Sequence, residues 1–230
     1  MNNITKKRTK RFVKKILSVF YARNEAYVKK CIDEADVVSF DLFDTLICRR
    51  CKEPENVFYG LSKNTVVSEL YKNEKDFVIE RVTAEMRCRK ENGEKEITLN
   101  QIYDHMERLN SLDKSNLITF EKQCEEENAI TQNSGKTLYE YAISQGKEIV
   151  ITSDMYLPID LIQSILKKND YTRIKHIFLS SEVGETKASG RLYEVLMNEF
   201  KDKKIIHIGD DVLSDCIKAQ RNHIKAVIIR

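Results

Sequence analysis

From Gly146 to the C-terminus, short β-branched runs alternate with stretches long enough to be helices, and few architectures accommodate that order. The pattern predicts strand 148–152, helix 158–168, strand 174–180, helix 189–200, strand 204–208, helix 212–222 and strand 225–229. Strands separated by helices of this length form parallel βαβ units. Right-handed crossovers then bring the loops after the strands to one edge, where open α/β sheets hold their ligands.

One more strand candidate, Val37-Val38-Ser39-Phe40-Asp41, precedes a long helical block over 55–145, with apolar residues at three-to-four spacing. Alone it would be an orphan, so it must join the later sheet, and the helical block becomes an insertion. The expected fold is α/β: a Rossmann-like parallel sheet of about five strands with helices on both faces, plus an α-helical cap inserted after the first strand. The expected parts are a basic helical segment over 1–35, a core over 36–52 and 146–230, and a cap over 53–145.

The chain of 230 residues carries 39 bases and 36 acids, and the resulting +3 hides an asymmetry. Residues 1–20 hold Lys6, Lys7, Arg8, Lys10, Arg11, Lys14 and Lys15 and no acid; without those seven, 32 bases face 36 acids, a net of −4. A body of that sign has no broad footprint for nucleic acid. Within the basic segment Phe12, Val13, Ile16, Leu17 and Phe20 recur at helical spacing, with the bases mostly off the stripe. Such a helix can pack its stripe on its own domain, the plainer expectation, or lie on an anionic membrane surface or an acidic partner. No apolar run approaches a membrane span. The stretch from Ile16 to Ala22 is too short for a secretory signal, so a cytoplasmic protein is expected.

Six cysteines, Cys31, Cys48, Cys51, Cys88, Cys124 and Cys216, are expected as reduced thiols. Cys48 and Cys51 form a C-x-x-C, but His105, His176, His207 and His223 are scattered and supply no second closely spaced pair for zinc.

The strand ends carry the chemistry. Strand one ends in Asp41-Leu42-Phe43-Asp44-Thr45-Leu46 and strand two in Thr152-Ser153-Asp154; the third region leads through Gly184-Glu185-Thr186 to Lys187; strand four ends in Gly209-Asp210-Asp211, with Asp215 beyond. Each element alone is weak, because capping recruits the same residue types. Together they deliver carboxylates, a hydroxyl and an ammonium to one edge. Clustered carboxylates repel unless a cation intervenes, and an oxygen-rich set suits Mg²⁺. One carboxylate beside it can act as nucleophile through an acyl-phosphate, with Ser153 and Lys187 binding phosphoryl oxygens.

These segments resemble the four motifs of the haloacid dehalogenase-like (HAD) hydrolase superfamily, over most of the chain from about Asp36. Phe40 to Leu46 looks like the first motif, Ile151 to Asp154 the second, Lys187 the third, and Gly209 to Asp215, G-D-x-x-x-x-D, the fourth. The resemblance implies a phosphate monoester hydrolase with Asp41 as nucleophile and Ser153 and Lys187 holding phosphate. It implies Mg²⁺ on Asp41, Asp210 and the Phe43 backbone carbonyl, with Asp211 or Asp215 assisting directly or through water, and a cap that favours small soluble phosphorylated substrates.

The sequence departs from that pattern at Phe43, where HAD phosphatases usually carry a general acid/base Asp. Phenylalanine cannot move a proton, and that role contributes typically about 10²–10⁴-fold. Asp44, one residue later, ranks first as substitute, ahead of Asp154 or a cap residue. Ala188, where Pro often follows the motif lysine, is a lesser departure. True dehalogenases also bear an aromatic at the Phe43 position, but need no metal. A domain that binds a phosphorylated ligand without turnover is the other alternative. Phe43-Asp44-Thr45 with Arg49, Pro54, Val57 and Phe58 further resembles a bacterial HAD subgroup found with surface-polysaccharide biosynthesis, which implies a sugar phosphate or glycan precursor. Arg49, Tyr59, Arg81 and Arg87 are the cap-side candidates for substrate contact.

Overall fold

The computed structural model describes residues 9, 12–13, 16–51 and 53–230. Helical residues 16–21 lead to α1 (Glu25–Asp33), capped by Asn24 accepting from Tyr27 N–H. β1 (Val37–Phe40) is buried at all four positions, as a strand must be when helices cover both faces of a parallel sheet. β2 (Ile47–Arg49) leads out to α2 (Asn56–Leu61), α3 (Thr65–Leu70), α4 (Glu74–Asn92), α5 (Leu99–Asp104) and α6 (Ser111–Asn128), and β3 (Ala129–Thr131) leads back. There follow α7 (Asn133–Ser144), β4 (Glu148–Ser153), α8 (Ile159–Lys168), β5 (His176–Leu179), α9 (Ser180–Val183), α10 (Arg191–Glu199), β6 (Ile205–Gly209), a π-helical turn over Val212–Ile217 running into α11 (Lys218–Arg221), and β7 (Lys225–Ile228).

The main sheet has the order β5-β4-β1-β6-β7, and every pairing in it is parallel. Its strands are the five read from the sequence. Val38, Phe40, Ile149, Ile151, Ile206 and Ile208 pack on one face with Val28 and Ile32 of α1, Leu138 and Ala142 of α7 and Ile162 of α8. Val37, Val150 and Phe178 pack on the other with Leu192, Tyr193 and Leu196 of α10 and Ala219 of α11.

β2 and β3 pair antiparallel, Ile47 with Thr131 and Arg49 with Ala129, as a two-stranded stem between the sheet and helices α2–α6. The sequence reading runs one helical block to 145; in the fold it is broken by β3, and α7 packs on α1 and β4. α7 starts so close to the loop after β1 that a Cβ on Gly135 would lie 1.9 Å from Thr45 O. Arg81 is fully buried among α2–α6, joined to Glu121 at 2.6 and 2.9 Å with its guanidinium 4.6 Å from the Phe58 ring. Glu96, also buried, accepts from Ser180 Oγ, which in turn accepts from Met155 N–H, so the helical insertion is tied to the loop after β4.

At the N-terminal end, Ala22 bridges to Ile228, Arg23 N–H donates to Ile228 O at 2.9 Å, and Leu17 and Ala22 pack against Val212, Cys216 and Ile228. The expected inward stripe does not form: Phe12, Val13, Ile16 and Phe20 are exposed, and of that stripe only Leu17 packs inward. The segment's inward side is set by Leu17 and Ala22, which pack on that cluster, and by the buried Ser18. Lys6, Lys7, Arg8, Lys10, Arg11, Lys14 and Lys15 lie outside the described residues. Among the described residues no helix is long and apolar enough to cross a membrane.

Candidate active site

β1, β4 and β6 are adjacent and parallel, so their C-terminal ends share one edge of the sheet. Asp41 is the first residue past β1, and its N–H donates to Ile208 O at 2.8 Å, which prolongs the ladder and fixes where its side chain leaves the sheet. Ser153 closes β4 and donates Oγ–H to Asp41 Oδ1 at 3.0 Å. Lys187 reaches the same oxygen at 2.5 Å and Asp215 Oδ1 at 2.6 Å. Its loop is held by Asp154, whose carboxylate accepts from the N–H groups of Lys187 (2.6 Å) and Ala188 (3.2 Å). Asp154, a candidate proton donor from the sequence, is thus engaged in presenting the lysine.

Asp215 organises the turn after β6. Its Oδ2 accepts from the N–H groups of Asp210 (3.1 Å) and Asp211 (2.9 Å), while Oδ1 takes Lys187 and lies 3.4 Å from His207 Nε2. Asp211 caps the π-helical turn, accepting from Leu213 and Ser214 N–H. Both residues, expected beside a metal, build the loop that carries Asp210, and Asp215 also keeps an oxygen near those of Asp41 and Asp210.

Burial sets the electrostatics. It pushes Asp41 up to about 7, against the pull of Lys187 and with the charge of Asp215 adding to the rise. Burial, then the charges of Asp215 and Asp41, raises Asp210 well above the carboxylate range. Burial also acts to raise Asp215, but Lys187 and His207 outweigh it and hold Asp215 below that range. Lys187 is kept protonated by Asp215 and Asp41 despite its own burial. Asp41, Asp210 and Asp215 offer oxygens within 4.8 Å of one another. Ionised, three carboxylates beside one ammonium carry an excess of negative charge that a hard divalent cation fits.

The edge opens into a cleft of about 310 Å³ lined by Asp41, Phe43, Asp44, Ser153, Asp154, Lys187, Ala188 and the Asp210–Asp215 loop. Asp44 has φ 61°, stabilised by its N–H donating to Ile47 O at 2.7 Å, and is exposed at the cleft. Among the described residues no hydrogen bond joins its carboxylate to Asp41. The Phe43 ring lies 4.1 Å from the Arg49 guanidinium, which is held by Glu125 of α6 at 2.8 and 3.1 Å. None of Arg49, Tyr59, Arg81 and Arg87 lines the cleft; Arg81 is spent on Glu121 and Arg87 on Glu107. Among the described residues, Ser18 lines the cleft from outside the core.

No protein-family model and no curated protein sequence matches the chain. Solved structures do. A 2-haloacid dehalogenase from Pseudomonas syringae pv. Tomato DC3000 superposes with a TM-score of 0.61 at 14% identity, over 84% of this chain and 85% of that one. A HAD family enzyme from Bacteroides thetaiotaomicron gives 0.57 at 14% identity, over 85% and 94%. The L-2-haloacid dehalogenase from Xanthobacter autotrophicus gives 0.56 at 11%, over 84% and 76%.

The chain has the HAD-like fold.

On that fold, Asp41, Ser153 and Lys187 meet as the sequence order suggested, and Asp210 lines the same cleft with an oxygen within 4.8 Å of one of Asp41. Gly209 is required by the closeness of the Asp215 carboxylate. A buried chain beneath the cleft was missed. Thr152 Oγ1 bonds Ser39 Oγ at 2.8 Å, Ser39 Oγ bonds His207 Nδ1 at 2.9 Å, and His207 faces Asp215 and packs edge-on against Tyr193. Burial lowers the pKa of His207. The available signal was a polar residue inside otherwise apolar strand runs: Ser39 between Val38 and Phe40, His207 between Ile206 and Ile208. Cys48 Sγ faces Thr131 O at 3.8 Å, and the acidic trio is the metal-type cluster found among the described residues.

Proposed function

We propose that the chain is a Mg²⁺-dependent phosphate monoester hydrolase working through an aspartyl-phosphate on Asp41. The supporting observation is the approach of Ser153 and Lys187 to one oxygen of Asp41, beside Asp210 and Asp215, in a cleft whose acid exceeds its base. Asp41, Asp210 and the Phe43 carbonyl are the groups to hold Mg²⁺, with Asp211 or Asp215 assisting from the same loop, directly or through water. When bound, the cation supplies positive charge beside the transferring phosphoryl group.

Asp41 attacks phosphorus with its second oxygen while Ser153 and Lys187 bind the non-bridging oxygens. The bond to the leaving group breaks, and a leaving alkoxide takes a proton that Phe43 cannot give; Asp44 is the proposed donor. Water then attacks the aspartyl-phosphate, releasing phosphate and restoring Asp41. A sugar phosphate or glycan precursor is the proposed substrate class, carried by the sequence resemblance around Phe43 and Arg49. The cytoplasm is the proposed compartment, in keeping with six free thiols.

Phe43 favours two competing readings, since an aromatic side chain there suits a metal-free carbon–halogen hydrolase and also a binding domain without turnover. The test is phosphate release from sugar phosphates and a chromogenic aryl phosphate, with Mg²⁺ and with chelator, beside halide release from a 2-haloacid. Mg²⁺-dependent phosphate release lost in Asp41→Asn supports the proposal. Equal rates for wild type and variant overturn it, as does halide release in chelator. Tight Mg²⁺-dependent beryllofluoride binding without turnover of any monoester would assign a binding domain instead.

A further inference from the structure

The N-terminal helical segment has two sides with opposite fates. Leu17 and Ala22 pack against Val212, Cys216 and Ile228, and Ser18 is buried and lines the cleft. On the other side Phe12 is 65% exposed, Val13 50%, Ile16 43%, Val19 49% and Phe20 78%. On a helical repeat of about 100° per residue these five fall within one third of the circumference. Single exposed apolar side chains are ordinary, but a contiguous stripe of them signals an interaction surface.

Charge selects the occupant. The first twenty residues hold seven bases and no acid, while the rest of the chain has a net of −4. A surface that is apolar beneath and anionic on top satisfies stripe and bases together, which is the make-up of a bilayer with acidic headgroups. Pairing the stripe with that of a second copy would instead bring two seven-base segments together, a like-charge approach that costs free energy. The acidic body is repelled by the same anionic surface, so the segment's side is the side that approaches.

We propose that the stripe of Phe12, Val13, Ile16, Val19 and Phe20 docks the protein on an anionic lipid surface. The segment continues into the Ala22 bridge to Ile228 and the Arg23 bond to the same residue, which tie it to the sheet. Docking of this kind is reversible and salt-sensitive, since part of its free energy is electrostatic.

The experiment is co-sedimentation of the full chain with vesicles of phosphatidylcholine alone or mixed with phosphatidylglycerol. Binding is expected on the mixed vesicles, weakening as salt rises, and Phe12→Ser/Ile16→Ser/Phe20→Ser is expected to bind at least about tenfold more weakly. Because the chain has no Trp, Phe20→Trp adds a single reporter, whose emission should move to the blue on mixed vesicles. Turnover of a soluble aryl phosphate should be the same for the triple variant and wild type, which separates docking from catalysis. Absence of wild-type binding, equal binding by the triple variant, or an unshifted emission from the Phe20→Trp variant overturns the proposal. So does a dimer in sedimentation velocity that the triple variant abolishes while vesicle binding is absent, an outcome that assigns the stripe to a second copy.

Discussion

Gly209 lies against the Asp215 carboxylate so closely that a Cβ at 209 would stand 2.3 Å from Asp215 Oδ2. That oxygen accepts the N–H groups of Asp210 and Asp211, so the space left by the missing side chain is what allows the loop to close on itself. Gly209→Ala must therefore displace Asp215, and with it the turn that carries Asp210. The expected cost is about 1–3 kcal/mol of stability, read in urea melts, together with weaker Mg²⁺ binding by calorimetry. A variant with wild-type stability and Mg²⁺ affinity would contradict the role given to this contact.

Lys187 is the ammonium that touches both Asp41 and Asp215, and all three are buried. Lys187→Met leaves those carboxylates without it, and removing one partner from a buried ion pair costs about 3–5 kcal/mol. In the metal-free protein the loss should shrink as pH falls, because protonation of Asp41 removes one of the charges left unpaired. Denaturant midpoints at several pH values check this; a pH-independent loss would count against it.

The acidic trio predicts how Mg²⁺ and pH interact. Folded and metal-free, Asp41 keeps its proton up to about pH 7, whereas its ordinary value is 3.8. Between those values the folded chain holds a proton that the unfolded chain has released, so stability falls as pH rises through the window. The raised pKa of Asp210 acts in the same sense. Mg²⁺ binds the ionised set, so its gain in Tm should be larger near about pH 8 than near about pH 5. Thermal melts with and without the ion decide, and an equal gain at both values would argue against a carboxylate site.

Phe43 and Asp44 predict a dependence on the leaving group. An aryl phosphate scarcely needs a proton on departure, so it should be turned over faster than alkyl phosphates by up to about 10²–10⁴-fold. If Asp44 supplies the proton, Asp44→Asn lowers kcat for alkyl phosphates and leaves the aryl rate nearly unchanged. A variant slowed equally on both would remove Asp44 from that role.

The sheet was legible in the sequence because its strands are β-branched runs set between helices, and buried parallel strands carry a dense apolar signal. β2 and β3 were not legible: three residues each, they are too short for periodicity, and their pairing joins Ile47 to Thr131 across more than eighty residues of chain. The meeting of Asp41, Ser153 and Lys187 follows from topology once the strand ends are aligned. Which oxygens Asp215 and Asp211 use does not, since it depends on where backbone N–H groups point in the turn after β6. Helical spacing likewise found the stripe at Phe12, Ile16 and Phe20, but could not say that the inward side belongs to Leu17, Ser18 and Ala22.

The central claim, that phosphoryl transfer passes through Asp41, is tested most directly by trapping. Acid quench after incubation with a radiolabelled aryl phosphate and Mg²⁺, followed by peptide mapping, should place a hydroxylamine-labile label on the peptide that contains Asp41, and Asp41→Asn should carry none. Phosphate release with no label on that peptide, or the same label in Asp41→Asn, would contradict it.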